Sequence, residues 1–280
     1  MTAGPDGTPV WRGMNLAELD AAYNNMAAVP DGAARLQGWA ERSQALRQRY
    51  PDQLDLPYGN RPRNRIDLFR TSKSDAPLLV FIHGGYWQRN SKEIFACMAE
   101  GPLARGFNVA TIGYTLAPDA TLTAIAAEIR SAVGWLRREG PAHGVSSARL
   151  IVSGWSAGAH LAALTMDMPE VDAGFCISGI FDLEPIRLGS LNEKLHLTPA
   201  EAEALSPIRH IPPQAAPLIV AYGTGELAEL QRQSRDFQSA WHAAGHSGRM
   251  MALEDRNHFS ILEEIAAPDG ALTAALAGLA

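Results

Sequence analysis

The 280-residue chain has only two cysteines, Cys97 and Cys176, each inside an apolar run. Two isolated thiols exclude a disulfide scaffold and fit a reducing, cytoplasmic compartment. No run of lysines and arginines appears, and the net charge is −6, so a nucleic-acid partner is not expected. No apolar stretch reaches the length that crosses a bilayer, so neither is a membrane. Residues 1–10 lack a charged start followed by an apolar block, so no signal peptide is read there. Internal repeats, low-complexity tracts and clustered metal ligands are also missing. His242 and His246 have the four-residue spacing of a helical metal pair, but Gly245 intervenes and no glutamate follows His242. They read as the end of a surface helix. Gly223-x-Gly225 lacks the third glycine of a dinucleotide loop. No cofactor is implied.

What the chain does have is an alternation of short apolar runs and amphipathic stretches. Residues 1–13 read as a loose tail. Helical periodicity covers 15–26, with Leu16, Leu19, Ala22 and Tyr23 on one face. A second helix runs from a cap at Asp31 to about Tyr50. Strands are predicted at 66–69, 78–82, 107–114, 149–155, 173–178, 217–222 and 250–253. Helices are predicted at 92–105, 121–138, 157–167, 199–205, 229–244 and beyond 261. Strands alternating with helices imply a mostly parallel sheet flanked by helices. Residues 1–56 form a tail and helical cap, and 57–280 the main domain. The cap is either packing on the main domain or a lid over its site.

The chemistry concentrates around Gly154-Trp155-Ser156-Ala157-Gly158, at the end of the run Leu150–Val152. A strand that turns into a helix within a few residues must hold the serine at a strained backbone angle. Side chains two before and two after would collide, so both positions need glycine. The pattern fits the nucleophile elbow of the α/β-hydrolase fold. A serine hydroxyl needs a base, and the base needs an orienting carboxylate. In this fold the order is serine, acid, histidine. Glu226 follows the late strand 217–222 and His258 the last strand, which gives Ser156 as nucleophile, His258 as base and Glu226 as acid. Asp255 and Asp182 stay as alternatives for the acid. His83-Gly84-Gly85 follows strand 78–82, where amide donors for an oxyanion are needed. Gly84, Gly85 and Ala157 are the candidates. His83 reads as structural and His160 as packed. Trp87, Tyr86 and Trp155 flank these loops and read either as core or as an aromatic wall for a flat substrate.

Phe81-Ile82-His83-Gly84-Gly85-Tyr86-Trp87-Gln88 resembles the HGGxW motif of kynurenine formamidases (arylformamidases) and their carboxylesterase relatives. Ala22-Tyr23-Asn24-Asn25, Tyr114-Thr115-Leu116-Ala117-Pro118, Ser178-Gly179-Ile180-Phe181-Asp182, Arg232-Gln233-Ser234 and Asn257-His258-Phe259-Ser260 extend the likeness over about residues 15–267. The resemblance implies a serine hydrolase that cleaves a small acyl, formyl-type amide of an aromatic compound, with N-formyl-L-kynurenine as the expected substrate. The alternative is a carboxylesterase or amidase on another small aromatic or xenobiotic compound. It also brings a homodimer into the expectations. Two positions depart from the family pattern: Glu226 stands where aspartate is expected, and Thr115 where relatives often carry arginine.

Overall fold

The computed structural model describes residues 7–73, 75–146 and 148–279. Residues 1–6 of the expected tail lie outside the described residues. Eight strands form one sheet: β1 (Leu56–Pro57), β2 (Arg65–Phe69), β3 (Leu78–Ile82), β4 (Asn108–Ile112), β5 (Leu150–Trp155), β6 (Ala173–Ile177), β7 (Leu218–Gly223) and β8 (Gly248–Leu253). Their spatial order is β1-β2-β4-β3-β5-β6-β7-β8. β1 and β2 join antiparallel at one edge, and β3 to β8 are parallel. The α/β-hydrolase fold expected from the sequence is therefore present.

The helices are α1 (Leu16–Ala22), α2 (Asn25–Ala28), α3 (Gly32–Arg47), α4 (Glu100–Ala104), α5 (Leu122–Glu139), α6 (Ala157–Ala163), α7 (Glu184–Leu188), α8 (Asn192–Leu195), α9 (Pro199–Ala204), α10 (Ala228–Ala243), α11 (Glu263–Ala266) and α12 (Ala271–Leu276). They cover both sheet faces. Leu78, Val80 and Ile82 of β3 pack on the face shared with α5, α6 and α10. Leu79 and Phe81 pack on the face shared with α3, α11 and α12. Both faces are buried, which is why the central strands read as unbroken apolar runs. On α5, Leu122, Ile125, Ala126, Ile129, Val133 and Leu136 recur with helical spacing and are all buried.

Several boundaries differ from the sequence reading. The helix expected over 15–26 breaks at Tyr23 into α1 and α2. Tyr23 leaves the helix so that its hydroxyl can donate to Glu229 Oε2 on α10, at 3.0 Å. Asp31 precedes α3 but makes no capping bond; its carboxylate takes Arg35 at 2.8 Å instead. Residues 92–99 form a 3₁₀ helix that runs into α4, rather than one α-helix. Residues 11–13 are not loose: Trp11 pairs with Met14 and its Nε1 donates to Glu229 Oε2 at 3.2 Å.

One charged cluster lies beneath the sheet edge. Lys92 is buried and pairs with Asp67 and Asp55, each at 2.6 Å. Asp67 is fully buried and also accepts from Arg47 Nε at 2.9 Å and the Asp55 amide at 2.8 Å. The carboxylates around it hold the Lys92 pKa above its ordinary value in spite of burial. Among the described residues no helix is long and apolar enough to cross a membrane.

Candidate active site

The loops that follow β3, β5, β6, β7 and β8 all leave the sheet at the carboxyl ends of parallel strands, where ligands gather in such folds. β5 and β3 are neighbours in register, Gly154 opposite Ile82. The loop after each therefore starts beside the other.

Ser156 sits at φ 58°, ψ −120°, a conformation that side chains rarely adopt. The two elbow glycines explain how the turn is held. A Cβ on Gly154 would lie 2.3 Å from the Gly158 backbone, and one on Gly158 would lie 2.0 Å from the Ile82 carbonyl oxygen. The Ser156 amide is fixed to the Ile177 carbonyl at 2.9 Å. The collision expected from sequence is thus real for both glycines, with the neighbouring strand supplying one of the walls.

His258 Nδ1 lies 2.9 Å from Glu226 Oε2, and both side chains are nearly removed from solvent. A carboxylate only accepts, so the contact places a proton on Nδ1. Glu226 Oε1 accepts from the Ser178 hydroxyl and the Gly223 amide, each at 2.6 Å. The carboxylate is anchored on one oxygen and aimed with the other. Neither alternative acid takes this place. Asp182 pairs with Arg209 at 2.8 Å, and exposed Asp255 is tied through its amide to Thr224 Oγ1.

Gly85 has φ +119°, and a Cβ there would lie 2.4 Å from the Arg89 carbonyl oxygen. A Cβ on Gly84 would lie 3.0 Å from the Cβ of Ser156, so the glycine loop runs directly against the elbow. No acceptor among the described residues takes the amide N–H groups of Gly84 or Gly85. The Ala157 amide opens α6 and has no carbonyl one turn behind it. His83 lies below this loop. Its ring stacks on Tyr114 at 4.3 Å and its Nδ1 is 2.9 Å from the Gly84 carbonyl oxygen. Burial pushes its pKa down to about 4, so it stays neutral.

Ser156, His258, Gly85, Tyr86 and Trp155 line one cavity of about 400 Å³. Its roof comes from the N-terminal segment, with Asp20, Tyr23, Asn25 and Leu36 among the lining residues. Tyr86 donates its hydroxyl proton to the Tyr23 carbonyl at 2.5 Å and accepts from Asn25 Nδ2 at 3.1 Å. Burial raises the Tyr86 pKa, so the phenol stays protonated. The Trp155 ring packs 4.8 Å from the His258 ring, and its Nε1 donates to the His258 carbonyl at 2.8 Å.

Trp87 is a correction. It is completely buried, is not among the residues lining the cavity, and lies edge-on to His160 at 4.9 Å. It supports the floor of the loop rather than facing a ligand. His160 is packed as expected, with Nε2 2.8 Å from the Leu205 carbonyl. His242 and His246 turn Nε2 to the Gly248 and Pro212 carbonyls, 3.0 and 2.6 Å away. Cys97 and Cys176 are free and buried. Burial pushes the Cys97 thiol up to about 11. Thr115 donates its amide and hydroxyl to the Glu128 carboxylate at 2.7 and 2.8 Å, which accounts locally for threonine at that position.

Sequence reasoning missed Ser178, which anchors Glu226, and the cavity contacts of Asp20, Arg89 and Ser190. The first had a signal in the Ser178-Gly179 pair that opens a strand-end loop. The others are known only once distant segments meet.

Comparison with known proteins gives a consistent set of likenesses. Residues 66–173 match the BD-FAE family model. A kynurenine formamidase from Danio rerio is 30% identical and covers 91% of this chain and 93% of its own. Esterase LipQ of Mycobacterium tuberculosis is 28% identical over 71% of this chain and 55% of its own. A candidate thioesterase from Silicibacter sp. TM1040 superposes with a TM-score of 0.82 at 29% identity, over 92% of this chain and 98% of that one.

Proposed function

Since the chain belongs to the kynurenine formamidase family of α/β-hydrolases, we propose that it is an arylformamidase in which Ser156, His258 and Glu226 form the catalytic triad. The chain is a hydrolase of small acyl compounds on its family membership alone. The finer reading rests chiefly on one observation, the 2.9 Å contact of Glu226 Oε2 with His258 Nδ1 on the cavity that also holds Ser156.

His258 Nε2 takes the Ser156 proton as Oγ attacks the formyl carbon. Negative charge moves to the carbonyl oxygen, where the amides of Gly84, Gly85 and Ala157 donate to it. Such donors are worth about 3–4 kcal/mol each in the transition state. The C–N bond then breaks, and His258⁺ gives its proton to the leaving aryl nitrogen. Water, deprotonated by His258, attacks the formyl-serine ester and releases formate. Glu226 holds the ring in the tautomer with Nε2 free and offsets the imidazolium charge. Trp155 and Tyr86 flank the aromatic leaving group. A volume of about 400 Å³ suits a ligand of that size.

Residues 1–56 act as the cap of this site. Tyr23 and Asn25 line its cavity, and Trp39 of α3 packs against Trp155 with ring centroids 6.2 Å apart. A cytoplasmic location and a homodimer complete the proposal; light scattering behind a sizing column tests the latter, and a mass of one chain sinks it.

The second reading is a carboxylesterase on another small aromatic ester, favoured by the match to Esterase LipQ. One comparison separates the two. Steady-state kcat/KM is measured for N-formyl-L-kynurenine, p-nitrophenyl acetate and an acetanilide, with Ser156→Ala as control. A formamide value of about 10⁴ M⁻¹s⁻¹ or above marks a dedicated formamidase. Brisk ester cleavage with negligible formamide turnover gives the esterase reading.

A further inference from the structure

The cavity is lined by a mixture of aromatic, aliphatic and polar side chains, and two full charges stand on it besides the triad: Asp20 of α1 and Arg89. Arg89 lies four residues past Gly85, and its amide donates to the Gly85 carbonyl at 3.1 Å. The oxyanion loop therefore fixes where this residue starts. Its guanidinium, exposed at the rim, has no hydrogen bond or ion pair among the described residues. Arg63 reaches the same loop and behaves differently. It spends its guanidinium on the Tyr114 and Asn90 carbonyls, at 2.8 and 2.7 Å.

Asp20 is held in place without being neutralised. Its carboxylate accepts from the Ser190 amide at 2.8 Å and the Ser190 hydroxyl at 2.5 Å. No cation pairs with it among the described residues. A hydrolase for plain acyl anilides or alkyl esters has no use for an unpaired cation and an unpaired anion at the same opening. An α-amino acid does, because at neutral pH it carries one charge of each sign. A guanidinium is the side chain best matched to a planar carboxylate.

We propose that Arg89 and Asp20 form a subsite for the α-amino-acid end of the substrate, Arg89 pairing with its carboxylate and Asp20 with its ammonium. This rests on the arylformamidase reading for the reacting end, and adds what selects the other end. The acyl aryl group enters toward Ser156 while the zwitterion stays at the rim.

The test uses product-like inhibitors, so it does not depend on formamide turnover. L-Kynurenine carries both charges, kynuramine only the ammonium, and 2-aminoacetophenone neither. Each is assayed as a competitive inhibitor of p-nitrophenyl acetate hydrolysis by the wild type, Arg89→Gln and Asp20→Asn. A hydrogen bond between charged groups predicts that Arg89→Gln raises the Ki of L-kynurenine about tenfold, and that of kynuramine far less. Asp20→Asn raises both and leaves 2-aminoacetophenone nearly unmoved. If a variant hydrolyses the ester too slowly, the same compounds are titrated calorimetrically. Three compounds that inhibit the wild type alike overturn the subsite. So does an Arg89→Gln that shifts all three equally. Failure of N-formyl-L-kynurenine as a substrate, with the inhibition pattern intact, would instead remove the formamidase reading and keep the subsite.

Discussion

Replacing Glu226 by glutamine tests the acid assignment with the smallest possible change in shape. In the wild type, Oε1 accepts two hydrogen bonds at 2.6 Å and Oε2 faces His258 Nδ1 at 2.9 Å. A glutamine has two ways to fit. With its amide nitrogen toward Gly223, it would set N–H against N–H in a buried spot, leaving donors unpaired at about 1–3 kcal/mol. With its oxygen there, the amide nitrogen faces His258 and donates to Nδ1. The second arrangement is better packed, and it forces the imidazole proton onto Nε2. The ring then cannot accept the Ser156 proton. The equivalent change in a serine protease triad costs about 10⁴ in kcat, or about 5 kcal/mol. We expect Glu226→Gln to lower kcat/KM for p-nitrophenyl acetate by about 10³–10⁴, with a urea midpoint near that of the wild type. Ser156→Ala sets the floor. Asp255→Asn and Asp182→Asn should each stay within about threefold, as changes outside the triad. A loss below tenfold in folded Glu226→Gln would refute the reasoning, as would a larger loss in either aspartate variant.

Three further outcomes follow from packing and charge. Asp67→Ala takes from the buried Lys92 and from Arg47 the fully buried carboxylate they share and leaves the Asp55 amide unpaired, while Asp55 still pairs with both cations, so urea unfolding should show a loss of about 3 kcal/mol, the lower end for a broken buried pair; a loss under about 1 kcal/mol would mean the cluster is no better than a surface pair. Gly38→Ala, with open space around its Cβ in α3, should raise stability by up to about 1 kcal/mol, whereas Gly158→Ala meets the Ile82 carbonyl at 2.0 Å and should abolish turnover or soluble expression; equal melting temperatures for the two would contradict the steric account. His83 and His160 are buried, and burial lowers their pKa values from the ordinary 6.5 to about 4. The unfolded chain binds their protons first, so the stability they contribute is complete above pH 6.5 and is lost as pH falls toward 4, at about 1.4 kcal/mol per pH unit for each histidine. Urea unfolding at pH 7.5, 6 and 5 measures the slope, and a pH-independent midpoint speaks against neutral burial.

Much of the site was readable because its constraints are local. Gly154 is required by the backbone of Gly158, within five residues, although the wall at Gly158 itself is the Ile82 carbonyl of the neighbouring strand; Gly84 and Gly85 follow directly on a single strand. Chain order pointed to Glu226 and His258, each of which leaves the end of a late strand, and their side chains meet at 2.9 Å. Contacts between distant segments were not readable. Periodicity continued the first helix through Tyr23, because it cannot register a partner 206 residues away. Trp11 looked like tail for the same reason, with its partner 218 residues on. Trp87 looked like a substrate wall because it adjoins the glycine loop. Which of Tyr86 and Trp87 reaches the cavity is decided by two successive residues at φ 52° and 58°, a backbone detail that composition does not encode.

The anchoring of the cavity roof has a consequence for the order in which the protein is made. Tyr23 and Trp11 leave the ribosome 206 and 218 residues ahead of Glu229, whose carboxylate receives both. Until α10 has emerged, the roof has neither of these hydrogen bonds. Gln233, which also donates to the Tyr23 hydroxyl at 3.0 Å, arrives later still. His258 follows after both. The nascent chain thus carries the elbow before it carries either the anchors of the roof or His258. In the proposed triad, Ser156 is without a base until that histidine has emerged.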